Sequence, residues 1–225
     1  MRIAVDAMGG DHAPAVPIEG AIEAARTGDC SIILVGDHEE ISSVLRRYNI
    51  KGLPVSVVHA SEIIRMDESP AQGCRQKKDA SVLVATRMVK EGKADAVISA
   101  GNSGACLAAS LLYLGRLKGV SRPALATQMP TLKGHCIILD VGANVDCKPK
   151  HLQQFAIMGN VLAKHLMNIS SPRIGLISIG EEEGKGDETT LKTYELLKDA
   201  HFNFVGNIEG GDIFRGMADV IVCDG

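Results

Sequence analysis

Strand-length apolar runs recur along this chain, each set apart from the next by a helix-length or loop-length segment. Ile3–Val5, Ser31–Val35, Val55–Val58, Ala96–Ile98, Ala124–Met129, Cys136–Val141, Arg173–Ile179, Phe202–Val205 and Ala218–Cys223 read as strands. Helices read from Pro17 to Arg26, from Asp37 to Arg47, from an Asp79 or Ser81 cap to Gly92, from Ala105 to Gly115, from Pro149 to Met167 and from Thr189 to Asp199. Asp37 has the side-chain oxygen that a helix N-cap needs, with Glu39 and Glu40 in the first turn. Strands apolar on both faces must be covered on both faces, so the alternation predicts a mostly parallel sheet between two helix layers. The fold class is α/β, a three-layer αβα arrangement. No linker, repeat or low-complexity stretch interrupts it, and residues 1–225 read as one domain. The last strand runs into Asp224-Gly225 with no helix behind it, so the natural chain is expected to continue.

Glycine-bearing loops follow four of these strands: after Val5, Ile98, Val141 and Ile179. Parallel strands place such loops on one edge, where open α/β sheets hold ligands. The most telling is Ser99-Ala100-Gly101-Asn102-Ser103-Gly104, which leads from a strand into a small-residue helix. The first amides of a helix lack internal partners and lie at the positive end of its dipole, so this turn suits an anion. The first loop carries Gly9-Gly10, two aspartates and His12, and the third carries Asn144 and Cys147. The fourth, Gly180–Thr189, superficially resembles a P-loop. Lys185 is followed by Gly186, however, which is the wrong spacing for a nucleotide triphosphatase. Its three glutamates would repel a polyphosphate unless they face away or bind a metal. A further stretch, Met66–Asp79, presents Arg75, Lys77 and Lys78 as a basic arm toward an anionic ligand or an acidic carrier, or simply as a solvated face.

Composition narrows the function classes. A net charge of −3 gives no nucleic-acid surface, and 24 glycines with only 3% aromatic residues suit tight ligand loops rather than stacking on bases or sugars. Six cysteines form no CxxC pair and lie in apolar runs, which reads as buried reduced thiols rather than a zinc site. The longest greasy stretch, Ala105–Leu114, is too short to span a bilayer, and Met1–Asp6 already reads as structure rather than as a signal peptide.

Several stretches together closely resemble the bacterial PlsX family of phosphate acyltransferases: MRIAVDAMGGDHAP, ILVGD, HASEIIRMDESPAQGCRQKKDAS, VKEGKADAVISAGNSGA, GRLKGVSRPALAT, ILDVGANVDCKPKHLQQFAIMG, IGEEEGKGDE and ADVIVCDG. They occur in order over the whole chain. The resemblance implies a Rossmann-like fold related to isopropylmalate dehydrogenases and phosphotransacetylases. It implies transfer of a long acyl chain from acyl carrier protein to inorganic phosphate. The acyl-phosphate product feeds the membrane enzyme that acylates glycerol-3-phosphate. It further implies a cytoplasmic homodimer, peripherally associated with the membrane, with no cofactor and no metal. The family chain continues past Asp224-Gly225, and Gly73-Cys74 replaces a more helix-forming pair, which is expected to loosen the basic arm.

The chemistry so implied needs positioning and charge compensation more than acid–base catalysis. Phosphate is largely dianionic near neutral pH, with a second pKa of about 6 by analogy with phosphomonoesters. The leaving thiolate has a parent pKa of about 8.5. Gly101, Asn102, Ser103 and Gly104 are expected to bind phosphate, and Lys185 to compensate phosphate or oxyanion charge. Asn144 is expected to donate to the carbonyl oxygen, and His12 to shuttle a proton or only to bond its own loop. Arg75, Lys77 and Lys78 are expected to engage the carrier. Three alternatives stand beside this reading. They are a covalent route through Cys147, a non-catalytic scaffold that recruits lipid enzymes, and a metal- and nicotinamide-dependent dehydrogenase, against which the absence of GxGxxG after the first strand weighs.

Overall fold

β1 (Arg2–Asp6) lies between β2 (Ser31–Gly36) and β4 (Ala96–Ser99), and β3 (Val55–His59) adds outside β2, all in parallel. These strands belong to the first of two compact units, Met1–Gly115 and Arg116–Gly225, in a computed structural model that describes residues 1–225. The chain read as one domain thus has two sheets, one in each unit. The order β3-β2-β1-β4 changes direction between β1 and β4, so the loops leaving these two strands flank the switch point where α/β sheets open a crevice.

Period-two alternation sends neighbouring residues of β2 into different cores. Ile32 and Leu34 pack with Ile18 and Ile22 of α1 (Ala15–Thr27) and Ile41 of α2 (His38–Leu45). Val35 packs on the other face with Val84, Ala85 and Met88 of α4 (Ser81–Lys90). Outside α4 lie α3 (Pro70–Gln76) and α5 (Ser103–Tyr113), joined through Cys74, Leu83, Ala105 and Ala109. The Asp37 cap forms as expected, accepting from the amides of Glu39 and Glu40 at 2.9 Å each. α1 begins before Pro17, which falls in the first turn, where a missing N–H breaks no helical bond.

In the second unit, β6 (Gly134–Leu139), β9 (Val220–Val222), β7 (Ile174–Ile177) and β8 (Phe204–Ile208) are parallel, and β5 (Ala126–Thr131) closes one edge as an antiparallel hairpin partner of β6. α6 (Pro149–Leu166) and α7 (Glu188–Lys198) cover one face, burying Leu152, Phe155 and Leu197 against Leu139, Leu176 and Val220. The opposite face gathers Ile138, Ile208 and Ile221 with Ile213 of α8 (Gly210–Arg215).

The expected α/β architecture with mostly parallel strands is present. Two short helices, α3 and α8, carry no periodic pattern and go unread in the sequence. Gly73 and Cys74 do not loosen α3. A Cβ at Gly73 would lie 3.0 Å from Ile64, and Cys74 is buried, so tertiary packing overrides weak helix propensity. No helix is long and apolar enough to cross a membrane.

Candidate functional site

β1 ends in a buried carboxylate. Asp6, 3% exposed, accepts from the Ser99 hydroxyl at 2.7 Å and the Met8 amide at 3.3 Å, and Ser99 Oγ accepts the Gly101 amide at 3.1 Å. This chain of bonds ties the loop after β1 to the loop after β4. The two backbones also touch: a Cβ on Gly101 would lie 3.1 Å from Gly9 Cα, and one on Gly9 would lie 2.5 Å from Asp6 Oδ2. The Gly101 amide is therefore already taken by Ser99.

Asn102 is the N-cap of α5. Its Oδ1 accepts from the Ala105 amide at 3.0 Å. Its Nδ2 faces the carbonyls of Arg65, Met66 and Glu68 at 3.1–3.3 Å, three acceptors for two hydrogens. The side chain fixes the helix start and is not free for an anion. Gly104 is required by packing, since a Cβ there would lie 2.5 Å from Pro70 Cγ of α3. Of the expected phosphate donors, the amides of Ser103 and Gly104 remain without partners, and so does the exposed Ser103 hydroxyl. α5 starts at Ser103 rather than Ala105, so these two amides are the first of the helix and receive its dipole. Beside the Asp6–Ser99 pair lies an apolar cleft of about 250 Å³, lined by Val5, Val16, Pro17, Ala21, Ile98 and Ala100 among others. His12 is exposed, with no side-chain hydrogen bond, and its carbonyl accepts the Val16 amide as α1 begins.

The basic arm divides. Lys77 bonds the Glu68 carboxylate and the Ile63 carbonyl, and Glu68 is held below the usual carboxylate range chiefly by that hydrogen bond. Lys77 is thus an internal strut rather than a cation offered to a carrier. Lys78 bonds the Cys74 carbonyl at 3.2 Å near the end of α3. Arg75 is exposed and makes no hydrogen bond or ion pair. With Lys78 it borders an apolar cleft of about 300 Å³ between α3 and α5, floored by Cys74, Ala108, Leu111 and Leu112.

In the second unit, the strand before the third loop also ends in a buried carboxylate. Asp140, 1% exposed, accepts from the amides of Leu125 (2.7 Å) and Asn144 (2.6 Å) and from Asn144 Nδ2 (2.9 Å). The Asn144 Nδ2 also donates to the Pro123 carbonyl at 2.8 Å. Both hydrogens of that amide are engaged, so Asn144 braces its loop and has no donor left for a substrate carbonyl. Sequence reasoning missed Asp6 and Asp140 as anchors, although the runs IAVD and IILD place an acid directly behind a buried strand.

Cys147 is buried, and its amide donates to Asp224. Burial, reinforced by a hydrogen bond and the negative charge of Asp224, pushes its thiol up to about 12. Only about one thiol in 10⁵ is then ionised at pH 7, which disfavours the covalent route. We expect neutral-pH alkylation of Cys147 to run about 3,000-fold slower than that of a free thiol near pKa 8.5, by the ratio of thiolate fractions. Peptide-resolved labelling measures this, and labelling as fast as a free cysteine would contradict it.

Lys185 is exposed, and its ammonium makes no hydrogen bond or ion pair. Of the three glutamates in its loop, Glu183 faces away and pairs with Lys198 of α7 at 2.7 Å. A cleft of about 370 Å³ opens beside this loop, lined by Ile177, Ser178, Ile179, Gly186, Asp187 and Thr190.

Both the fold and the chain have relatives. A phosphotransacetylase from Streptococcus pyogenes superposes with a TM-score of 0.68 at 16% identity, covering 99% of this chain and 76% of that one. A branched-chain phosphotransacylase from Enterococcus faecalis gives 0.67 at 15% identity, over 98% of this chain and 78% of that one. A 4-hydroxythreonine-4-phosphate dehydrogenase from Burkholderia phymatum gives 0.52 at 14% identity, over 98% and 78%. These likenesses define the fold as that of the phosphotransacetylases, the kinship expected from the sequence. The family described as fatty acid synthesis protein matches residues 1–225, and the chain belongs to it. Proteins named phosphate acyltransferase are 54% identical in Geobacter sulfurreducens and 52% identical in Desulforamulus reducens, each matching all of this chain. The chain spans about two thirds of the length of these relatives, 65% of the first and 67% of the second.

Proposed function

We propose that this chain belongs to an enzyme that moves a long-chain fatty acyl group from the thioester of acyl carrier protein to inorganic phosphate. The product is an acyl-phosphate for phospholipid synthesis. The observation that carries the proposal is the start of α5, where two consecutive unpartnered amides and a free hydroxyl stand at the end of the parallel strand β4, beside the switch point of the first sheet. Family membership and the names of the relatives support the same reading.

A phosphate oxygen attacks the thioester carbonyl carbon. The C–O bond forms, the C–S bond breaks, and the electron pair leaves on sulfur. The nucleophile arrives already ionised and the leaving thiolate is a good one, so the protein's part is to hold the phosphate and offset charge. The amides of Ser103 and Gly104, with the Ser103 hydroxyl, hold the anion. The apolar cleft beside Asp6 and Ser99 suits a hydrocarbon chain. His12 is the proton shuttle of this reading. Arg75 and Lys78, beside their apolar cleft, suit an acidic carrier, and Lys77 drops out of that role. The reading keeps a homodimer in the cytoplasm, associated peripherally with the membrane, where glycerol-3-phosphate acyltransferase takes the product. It calls for no cofactor.

Lys185, exposed and unpaired, is the charge-compensating cation of this reading. Lys185→Ala is expected to lower kcat about 30-fold, the ~2 kcal/mol of one charge-assisted interaction. Initial rates measure it, and Lys185→Arg retains part of the activity. The proposal as a whole is tested by incubating the protein with acyl carrier thioester, with and without inorganic phosphate. Phosphate-dependent acyl-phosphate is expected. Free thiol release that ignores phosphate, or none at all, rules the reading out.

A further inference from the structure

We infer that Asn207 is the positioning residue for Lys185. The inference rests on the proposed role of Lys185 and goes beyond it, to what holds that lysine in place. Asn207 lies on β8 and is 5% exposed. Its Nδ2 donates to the Glu182 carbonyl at 2.9 Å, and the same carbonyl accepts the Lys185 amide at 3.0 Å. One oxygen therefore joins a buried strand residue to the backbone of the exposed lysine. No other side chain donates a hydrogen bond to the backbone of residues 180–186.

Two features show that the strand is shaped for this contact. The first is the register of β8 on β7: Ile174 faces Phe204, but Gly175 faces Gly206, leaving Val205 as an extra residue. A bulge switches the faces of a strand. Phe204 packs with the α6–α7 cluster, whereas Ile208 packs on the opposite face, and without the bulge both would share one face. The bulge turns Asn207 under the loop that leads into α7. The second feature is that Asn207 Oδ1 is buried with no partner. A buried unpaired acceptor is destabilising, so apolar residues are the stable choice at such a position unless the other end of the amide is needed. Here the other end holds Glu182.

The test combines a double-mutant cycle with proteolysis. Asn207→Ala is expected to lower kcat about tenfold, equal to about 1.4 kcal/mol, with the KM for phosphate little changed. In a Lys185→Ala background the same substitution changes kcat less than about twofold, because residues acting through one group are not additive. Asn207→Leu keeps the branched shape and removes the orphaned oxygen, so a folded variant, checked by its melting temperature, shows the same kcat loss. Trypsin cleaves after Lys185 about tenfold faster in both Asn207 variants, with other sites unchanged, if opening of the loop is governed by a bond of about 1.4 kcal/mol. Additive losses in the cycle, or unchanged cleavage, would overturn the positioning role alone. Full activity in Lys185→Ala would overturn the reading of Lys185 itself and the positioning role with it.

Discussion

Asp140→Ala is expected to destabilise the second unit by about 3–5 kcal/mol, since each buried donor left unsatisfied costs about 1–3 kcal/mol. Asp140 is 1% exposed and accepts three hydrogen bonds, two of them from Asn144 and one from Leu125. Alanine leaves the Asn144 amide and side chain facing an apolar methyl. The loop from Gly142 to Pro149 loses its anchor, and the Asn144 contact to Pro123 goes with it. Asp140→Asn is the informative control. It keeps one acceptor oxygen but aims an amide at a donor, and falls between wild type and alanine. Equilibrium urea unfolding measures both, read as a lower midpoint at constant slope. A loss below about 1 kcal/mol for the alanine variant, the level of a single ordinary hydrogen bond, would show that Asp140 does not anchor the loop.

The elements with a strong period were legible in the sequence. β2 and β6 are short, apolar and bounded by turn residues, and the Asp37 cap of α2 follows from its oxygen and the acids behind it. The division into two sheets was not legible. Local alternation is the same in one sheet or two, and only pairing partners distinguish them, such as β1 with β4 across the whole first unit. α3 escaped notice because Gly73 and Cys74 are poor helix formers whose burial against Ile64 and α5 decides the outcome.

The site shows a similar limit. The glycine turn after β4 was readable because strand, turn and helix each have their own signature. Which of its polar groups stay free was not. Asn102 and Asn144 look alike in sequence to substrate-binding amides, yet each has both side-chain hydrogens engaged, Asn102 by carbonyls more than 30 residues away and Asn144 by Pro123 and the nearby Asp140. Lys77 and Arg75 are two residues apart and equally basic, yet one is held by Glu68 and the other is exposed. Sequence shows the inventory of donors, and tertiary contacts decide which remain available.

Ser103→Pro is expected to lower kcat/KM for phosphate at least about 100-fold, as loss of one preorganised anion donor does at about 2.7–4 kcal/mol. The position permits the change. Ser103 is the first residue of α5, where proline is favoured and its missing N–H breaks no helical bond. Asn102 before it has φ −57° and ψ 110°, the extended region that a following proline imposes. The substitution removes one unpartnered amide and one hydroxyl while leaving the helix and the Asn102 cap in place. Ser103→Ala removes the hydroxyl alone and is expected to show a smaller loss. The decisive measurement is kcat/KM for inorganic phosphate in wild type, Ser103→Ala and Ser103→Pro, with melting temperatures alongside. A graded loss at constant melting temperature is the predicted result. An unchanged kcat/KM for phosphate in a folded Ser103→Pro protein would mean that the start of α5 does not hold the attacking phosphate.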